Sequence, residues 1–182
     1  MYQQLAYNPI NDLNVQASLA RIMFWRENTL FTWQWWLLLA VVAVSALIWW
    51  RLVDRSRLLE IVCYGILGAV PAMVFDITGT MLGWYAYPIL LQPYYPGTIF
   101  GIITPAIIGM LIYQYFPSWR GFLITVTLAS AVLSFTGQPL LAYIGVYKIY
   151  NFSYLYSFLI FIIIAVWDKW TVGKMKSART GY

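Results

Sequence analysis

Five apolar runs, each near the roughly 20 residues that cross a bilayer as a helix, dominate the amino-acid sequence. Inside lipid a backbone must form its hydrogen bonds within the run itself, and a helix supplies them. The runs therefore predict an all-α fold, a polytopic membrane helical bundle of five transmembrane helices. The predicted spans are residues 31–50, 58–84, 98–116, 121–147 and 152–167. Together they form one membrane domain, residues 31–167.

The composition indicates that lipid surrounds most of this chain. Hydrophobic residues make up 62% and charged residues 9% of the sequence, whereas soluble domains are roughly half apolar and a quarter charged. The net charge of +5 comes from short loops and a tail beside the spans. Orientation in the bilayer explains that placement, so no nucleic-acid partner is predicted. The sequence has no histidine and a single cysteine, Cys63, and it predicts no catalytic residue, metal site or cofactor.

The two ends of the chain flank the membrane domain. Residues 1–30 lack a continuous apolar core behind a basic start, so a cleavable signal peptide is not predicted. One helical face in this segment carries Val15, Leu19, Ile22 and Met23. Such a face favours a helix lying in the membrane interface, outside the cell.

The basic residues predict the orientation of the chain. With the N-terminus outside, eight of them are cytoplasmic and three are external. Cytoplasmic loops carry the excess of Lys and Arg, so the sequence predicts an N-out, C-in arrangement. Residues 168–182 are then a basic cytoplasmic tail.

Asp76 is a carboxylate within an apolar run, and no Lys or Arg lies inside any run that could neighbour it. An ionisable residue inside the membrane is costly and by default marks a functional site. At 1.5 Å per residue, Asp76 lies roughly 7 Å outward of mid-membrane, and Gln138 in the fourth span lies roughly 6 Å outward. The two side chains are therefore predicted to meet.

Other polar side chains lie near that level, and a tyrosine-rich loop pressed on the membrane surface, residues 84–97, covers it. We predict a polar pocket or a packed polar cluster in the outer half of the bundle. The other polar residues at that level are Thr78, Thr80, Thr104, Ser134, Thr136, Tyr143, Tyr154 and Ser157. The loop contributes Trp84, Tyr85, Tyr87, Tyr94 and Tyr95. The candidate ligand-binding residues are Asp76, Gln138, Thr80, Trp84, Tyr85, Tyr154 and Lys148.

Two interpretations of Asp76 stay open. A dry, unpaired Asp76 would be protonated and would donate to Gln138 or a threonine, in a hydrogen-bonded knot that fixes helix packing. An Asp76 reached by water or by Lys148 would be ionised and would bind a proton, a cation or a polar head group.

Small and polar residues form a stripe on each of two helices, and such stripes let membrane helices approach closely. The stripe of the second span is Gly68, Ala72, Asp76 and Thr80. The stripe of the fourth span is Thr127, Ser130, Ser134 and Gln138. These two faces are predicted to touch.

Several strings of the sequence carry a family likeness. They are residues 75–79, 83–88, 110–120, 133–140, 147–150 and 154–158. With about residues 58–170 covered, the chain resembles an uncharacterised family of small five-helix integral membrane proteins from Gram-positive, spore-forming bacteria. In that family the residue before Pro139 is usually acidic, whereas here it is Gln138. The resemblance implies a bacterial cytoplasmic membrane and implies no activity.

Three classes of function follow from these features. The first is a structural or interaction component of the membrane, because spanning, packing and orientation account for every feature. The second is a small transporter or sensor with an outward-facing polar pocket around Asp76 and Gln138. The third is a membrane enzyme acting on a lipid or isoprenoid, which would need two positioned acid–base or metal-binding groups. The expected partners are membrane lipids and a membrane-protein partner or a second copy of the chain.

Overall fold

The computed structural model describes residues 9–93 and 99–180, with side chains for residues 11–93 and 101–178. Within these ranges the chain is almost entirely helical. The α-helices are α1 (Pro9–Asn28), α2 (Trp33–Leu52), α3 (Leu58–Met81), α4 (Ile99–Tyr115), α5 (Trp119–Val132), α6 (Gln138–Tyr143) and α7 (Tyr154–Thr180). The short elements are a 3-10 turn (Arg55–Arg57), a π-helical turn (Leu133–Gly137) and the strands β1 (Tyr85–Ala86) and β2 (Lys148–Ile149).

Four helical stretches are long and apolar enough to cross a membrane. They are Trp33–Leu52, Arg55–Met81, Trp119–Tyr143 and Tyr154–Ala178. A fifth apolar stretch, Gly101–Tyr115 of α4, is shorter than these. The α-helical bundle and the membrane class predicted from the sequence are therefore confirmed. The start of the third predicted span, at Thr98, lies outside the described residues.

The last helix runs past its predicted end. The charges that begin at Asp168 predict a tail after Trp167, but α7 continues without a break to Thr180. Asp168 and Lys169 are buried, and Lys169 Nζ donates to the carbonyls of Phe116, Pro117 and Ser118 just after α4, at 2.9 to 3.4 Å. Free carbonyls at a helix C-terminus favour a cation. This contact therefore holds α7 against the bundle at Lys169, and residues 173–178 beyond it are exposed.

A small antiparallel ribbon follows the second and fourth spans, which end earlier than predicted. Strand β1 pairs with β2, with Tyr85 opposite Ile149. Glycines with positive φ, Gly83 at 67° and Gly145 at 78°, turn the chain out of α3 and α6. The spans consequently end at Met81 and Tyr143, not at Trp84 and Tyr147 as predicted. The tyrosine-rich loop is thus partly ordered by strand pairing. Tyr94 and Tyr95 lie outside the described residues.

Helices α3, α4, α5 and α7 form the core. Helix α3 packs on α4 and α7, α5 packs on α7 and α4, and α2 lies against α4. The small face of α3 meets its neighbours closely, with Gly65 against Met110 and Gly68 against Asp168. The two small-and-polar stripes therefore do not form the predicted helix contact. Residues of both, such as Gly68 and Ser130, instead line one cavity.

An ion-pair cluster joins the start of α3 to the end of α7. Glu60 forms ion pairs with Arg57 at 2.9 Å and with Lys176 at 3.0 Å. The Tyr113 hydroxyl of α4 donates to the same carboxylate. Three helices are therefore tied together at this end of the bundle.

Helix α1 leaves its apolar side chains uncovered, as expected of a helix that lies on a membrane. Val15, Leu19 and Met23 are all exposed. The helix is attached at its end, where Trp25 Nε1 donates to the Leu90 carbonyl at 2.9 Å. The predicted N-terminal helix therefore forms, and its position in the interface stays a prediction.

Close packing between Gly79 and Tyr85 provides a test of how the ribbon is seated. A Cβ atom at position 79 would lie 2.5 Å from Tyr85 Oη and 2.6 Å from Cζ of the same ring. Gly79→Ala should therefore lower the free energy of unfolding by about 1 to 3 kcal/mol. Gly173→Ala is the matched control, because nothing lies within 4 Å of a Cβ there. It should raise stability by about 0.5 to 1 kcal/mol. Unfolding of the detergent-purified variants measures both, and equal effects would contradict this packing.

Candidate functional site

A cavity of about 330 Å³ lies inside the bundle. Most of its wall is apolar, from residues such as Leu38, Leu141 and Ile164. Polar side chains also line it, and those of the described residues are Asp76, Tyr85, Tyr87, Thr104, Gln138, Tyr147 and Ser157. The interior therefore offers a few hydrogen-bonding groups within a hydrophobic enclosure, the usual makeup of a small-molecule site.

Different elements bring these groups together. Asp76 is on α3 and Thr104 is on α4 immediately before Pro105, while Ser157 is near the start of α7. Gln138 begins α6 directly after the π-helical turn, and its N–H bonds to the Leu133 carbonyl. The irregular turn has a local cause, because Pro139 lacks the N–H that would continue the α-helical ladder.

The Asp76 carboxylate is bound by a buried phenol. Tyr87 Oη donates to Asp76 Oδ1 at 2.6 Å. Burial, and next the nearby Asp76 carboxylate, raise the pKa of the Tyr87 phenol well above its ordinary value. Tyr87 is therefore neutral at physiological pH and acts as the donor in this bond.

Aromatic rings surround the same end of the cavity. Tyr87 lies 5.3 Å from Tyr147 and 5.8 Å from Tyr85, measured between ring centroids. Tyr85 in turn lies 5.1 Å from Phe152. Burial, followed by the Asp76 charge, also raises the pKa of the Tyr147 phenol. A carboxylate enclosed by electron-rich rings makes this end of the cavity attractive to a cation.

Two polar atoms of this site have no bonding partner among the described residues. Gln138 Nε2 donates to Ser157 Oγ at 2.9 Å, but its Oε1 is buried and has no donor within this part of the chain. The same holds for the buried Thr104 Oγ1. Leaving a buried polar atom unbonded costs about 1 to 3 kcal/mol. A ligand with hydrogen-bonding capacity would recover that free energy.

Three of the predicted site residues do line the cavity, namely Asp76, Gln138 and Tyr85. Asp76 and Gln138 lie in one cavity, yet each has its own partner, Tyr87 for the carboxylate and Ser157 for the amide. The two residues therefore share one cavity, and direct contact between them stays a prediction.

The other four predicted site residues are not among the described residues that line the cavity. Thr80 bonds back to the carbonyl of Asp76 at 2.8 Å within its own helix. Trp84 packs behind the wall, on Phe152. Lys148 is exposed on the ribbon, 5.3 Å from the Tyr150 ring. Tyr154 is half-buried and does not line the cavity.

The candidate ligand-binding residues chosen from the sequence omit several residues that line the cavity. Depth along the helices pointed to Thr104 and Ser157, and the loop to Tyr87, but depth does not tell which face a side chain occupies. Tyr147 is missing from the candidates because the fourth span is predicted to include it. No group of three His, Cys, Asp or Glu side chains that could hold a metal occurs among the residues described.

Alkaline pH tests the burial of the two phenols. Unfolded tyrosine releases its proton near pH 10, whereas the pKa of Tyr87 and of Tyr147 is raised in the fold. The folded chain keeps these protons when the unfolded chain has lost them, so the free energy of unfolding falls as the pH rises above about 10. Unfolding measured at about pH 8 and about pH 11 should show a smaller loss in the Tyr87→Phe, Tyr147→Phe double variant than in the wild type.

The exposed Tyr143 provides the control for that measurement, because it is 89% exposed. Tyr143→Phe should lose as much stability between the two pH values as the wild type. A double variant that also loses as much would show that the two phenols are not buried.

Comparison of this chain with protein-family models, with curated proteins and with solved structures finds no match. The resemblance to a family from spore-forming bacteria stays a prediction. A proposal for the function must therefore rest on the cavity and its chemistry.

Proposed function

We propose that this chain is a membrane protein that binds a lipophilic organic cation, such as an amine with apolar substituents, as a small transporter or sensor. The observation that carries the proposal is the 330 Å³ cavity that combines Asp76 with aromatic rings and an apolar wall.

The polar end of the cavity suits a positively charged group. A cation over an aromatic face gains about 0.5 to 2 kcal/mol, more where water is excluded. Tyr85, Tyr87 and Tyr147 offer such rings beside Asp76. The carboxylate supplies the opposite charge that a buried cation requires. An anionic or purely apolar ligand would leave this end of the cavity without a matching group.

The apolar wall suits the rest of such a ligand. Small-molecule sites typically have volumes of roughly 300 to 1,000 Å³, and this cavity lies at the lower end. Leu141, Ile160 and Phe161 are among the side chains that would contact apolar substituents. A ligand of this kind enters the membrane readily and can reach the site from lipid.

The cavity favours the transporter or sensor class over the two other classes. A purely structural role for Asp76 needs a closed knot of bonds and has no use for an internal space of this size. An enzyme would need a second acid or base near the same substrate atom. The other deep acid of the described core, Asp168, is not among the residues that line this cavity.

We also infer that α4 is a fifth span and that the chain lies N-out and C-in in a bacterial cytoplasmic membrane. Helix α4 has 17 residues, about 25 Å of helix, and packs between α2 and α3. A helix in that position has to follow its neighbours through the bilayer. The excess of basic residues at the α7 end supports the cytoplasmic side for that end.

Cysteine labelling tests this orientation. In a Cys63→Ala background, Gln16→Cys and Ala178→Cys place single thiols on exposed parts of α1 and α7. A membrane-impermeant maleimide should label the first in intact cells and the second only after permeabilisation. Labelling of the α7 thiol from outside would reverse the proposed orientation.

Ligand binding tests the function directly. Tetrabutylammonium, a permanently charged ion with apolar substituents, should bind the detergent-purified chain in calorimetry. Asp76→Asn keeps the size of the side chain and its bond to Tyr87 but removes the charge, so it should weaken binding at least about tenfold, which corresponds to roughly 1.4 kcal/mol. Asp12→Asn makes the same chemical change on the exposed α1 and should bind as the wild type. Equal affinity in all three proteins would refute the proposal and favour a structural role for Asp76.

A further inference from the structure

A second carboxylate lies inside the bundle, where the sequence predicts a solvated tail. Asp168 is only 3% exposed. It lines a smaller cavity of about 80 Å³ together with Gly68, Ser130 and Tyr64. A cavity of this size has room for water, since one water needs roughly 10 to 15 Å³.

The fold accommodates this carboxylate, but the described residues leave one of its oxygen atoms without a hydrogen bond. Gly68 faces Asp168 so closely that a Cβ atom at position 68 would overlap Asp168 Oδ2. Asp168 Oδ1 is buried and has no hydrogen-bond partner in the part of the chain that the structure describes. An unpaired charge in such a place is costly, and a proton on the carboxyl removes that cost.

The two cavities adjoin one another. Several residues line both of them, including Ala72, Leu133 and Ile164, and the shared residues are apolar or glycine. Gly68, beside Asp168, precedes Asp76 by eight residues on α3, about 12 Å along a helix. The interior therefore has two carboxylates, one in each of two adjoining cavities that share apolar lining residues.

We propose that Asp168 is a proton-binding site whose proton is released when a cation occupies the larger cavity. The proposal rests on the function inferred above and adds the exchanged ion. A cation enters at Asp76, the O–H bond of the Asp168 carboxyl breaks, and its proton passes through cavity water to the solvent. The charge inside the bundle is then unchanged, which lowers the cost of taking a cation into a low-dielectric interior.

The groups that surround Asp168 are neutral or bonded elsewhere, so the exchanged proton is assigned to the Asp168 carboxyl. From α3 the titratable neighbour is Tyr64, which donates to the Ala165 carbonyl at 3.4 Å. Tyr113 of α4 stacks on Tyr64 and is not among the described residues that line this cavity. Among the described residues of α5 that line this cavity, the polar one is the neutral Ser130. Lys169, the next residue of α7, turns its ammonium to the carbonyls that follow α4.

The distance between the sites is short enough for a measurable linkage. At an effective dielectric constant of about 20, a unit positive charge roughly 12 Å away changes the proton affinity of a carboxyl by about tenfold. Proton uptake and cation binding should oppose one another by the same factor, because linkage between two sites is reciprocal.

Calorimetry in buffers of different ionisation enthalpy tests this inference, because the buffer dependence of the heat counts the protons released per bound ligand. The full chain in detergent is titrated with tetrabutylammonium, which carries no exchangeable proton. The wild type should release up to about half a proton per cation, which is the most that a tenfold change in proton affinity allows, and its affinity should fall as the pH is lowered, by up to about tenfold. Asp168→Asn should still bind the cation, release fewer protons and show a weaker dependence on pH.

Asp12→Asn serves again as the matched control and should behave as the wild type in both measurements. Cation binding with equal proton release in the wild type and in Asp168→Asn would overturn the role of Asp168 and leave the proposed function standing. No binding in the wild type would overturn both. A variant Asp168→Asn that does not fold would be replaced by Gly68→Ala, which displaces the carboxylate and should likewise reduce the proton release.

Discussion

The free-energy cost of a polar group in a lipid-embedded bundle governs the interior of this molecule. A carboxylate there needs a donor, an opposite charge or a proton. Asp76 has the Tyr87 phenol, Glu60 has Arg57 and Lys176, and Lys169 has the carbonyls that follow α4. These partners tie the aromatic loop to α3 and the last helix to the ends of α3 and α4.

The aromatic loop is as much a part of the site as the helices are. Tyr85 reaches Gly79 on α3, Tyr87 reaches Asp76, and the strand pairing with β2 brings Tyr147 beside both rings. The pairing of β1 with β2 joins segments that are far apart in the chain. The polar end of the cavity is consequently lined in part by side chains that lie outside the membrane spans.

Apolar run length and helix rise were enough to predict the bundle and to associate Asp76 with Gln138, which line one cavity. They could not predict which helix faces meet. The small face of α3 turns to α4 and α7 because Gly65 and Gly68 accommodate Met110 and Asp168. The extension of α7 was also hidden, because a charge after an apolar run normally marks its end, and the carbonyls that accept Lys169 belong to a distant loop. Pairing between distant segments leaves no local pattern in the sequence.

The π-helical turn before Gln138 fixes the rotational register of the chain that follows it. Each residue of a helix turns the next side chain by about 100°, and the turn adds one residue relative to an α-helical path. A regular α-helix through Leu133–Gly137 would rotate the side chains that follow by about 100° and so turn the Gln138 amide away from Ser157. One inserted residue thus sets the direction of the amide relative to the cavity, and Pro139 cannot restore the regular ladder because it lacks an N–H.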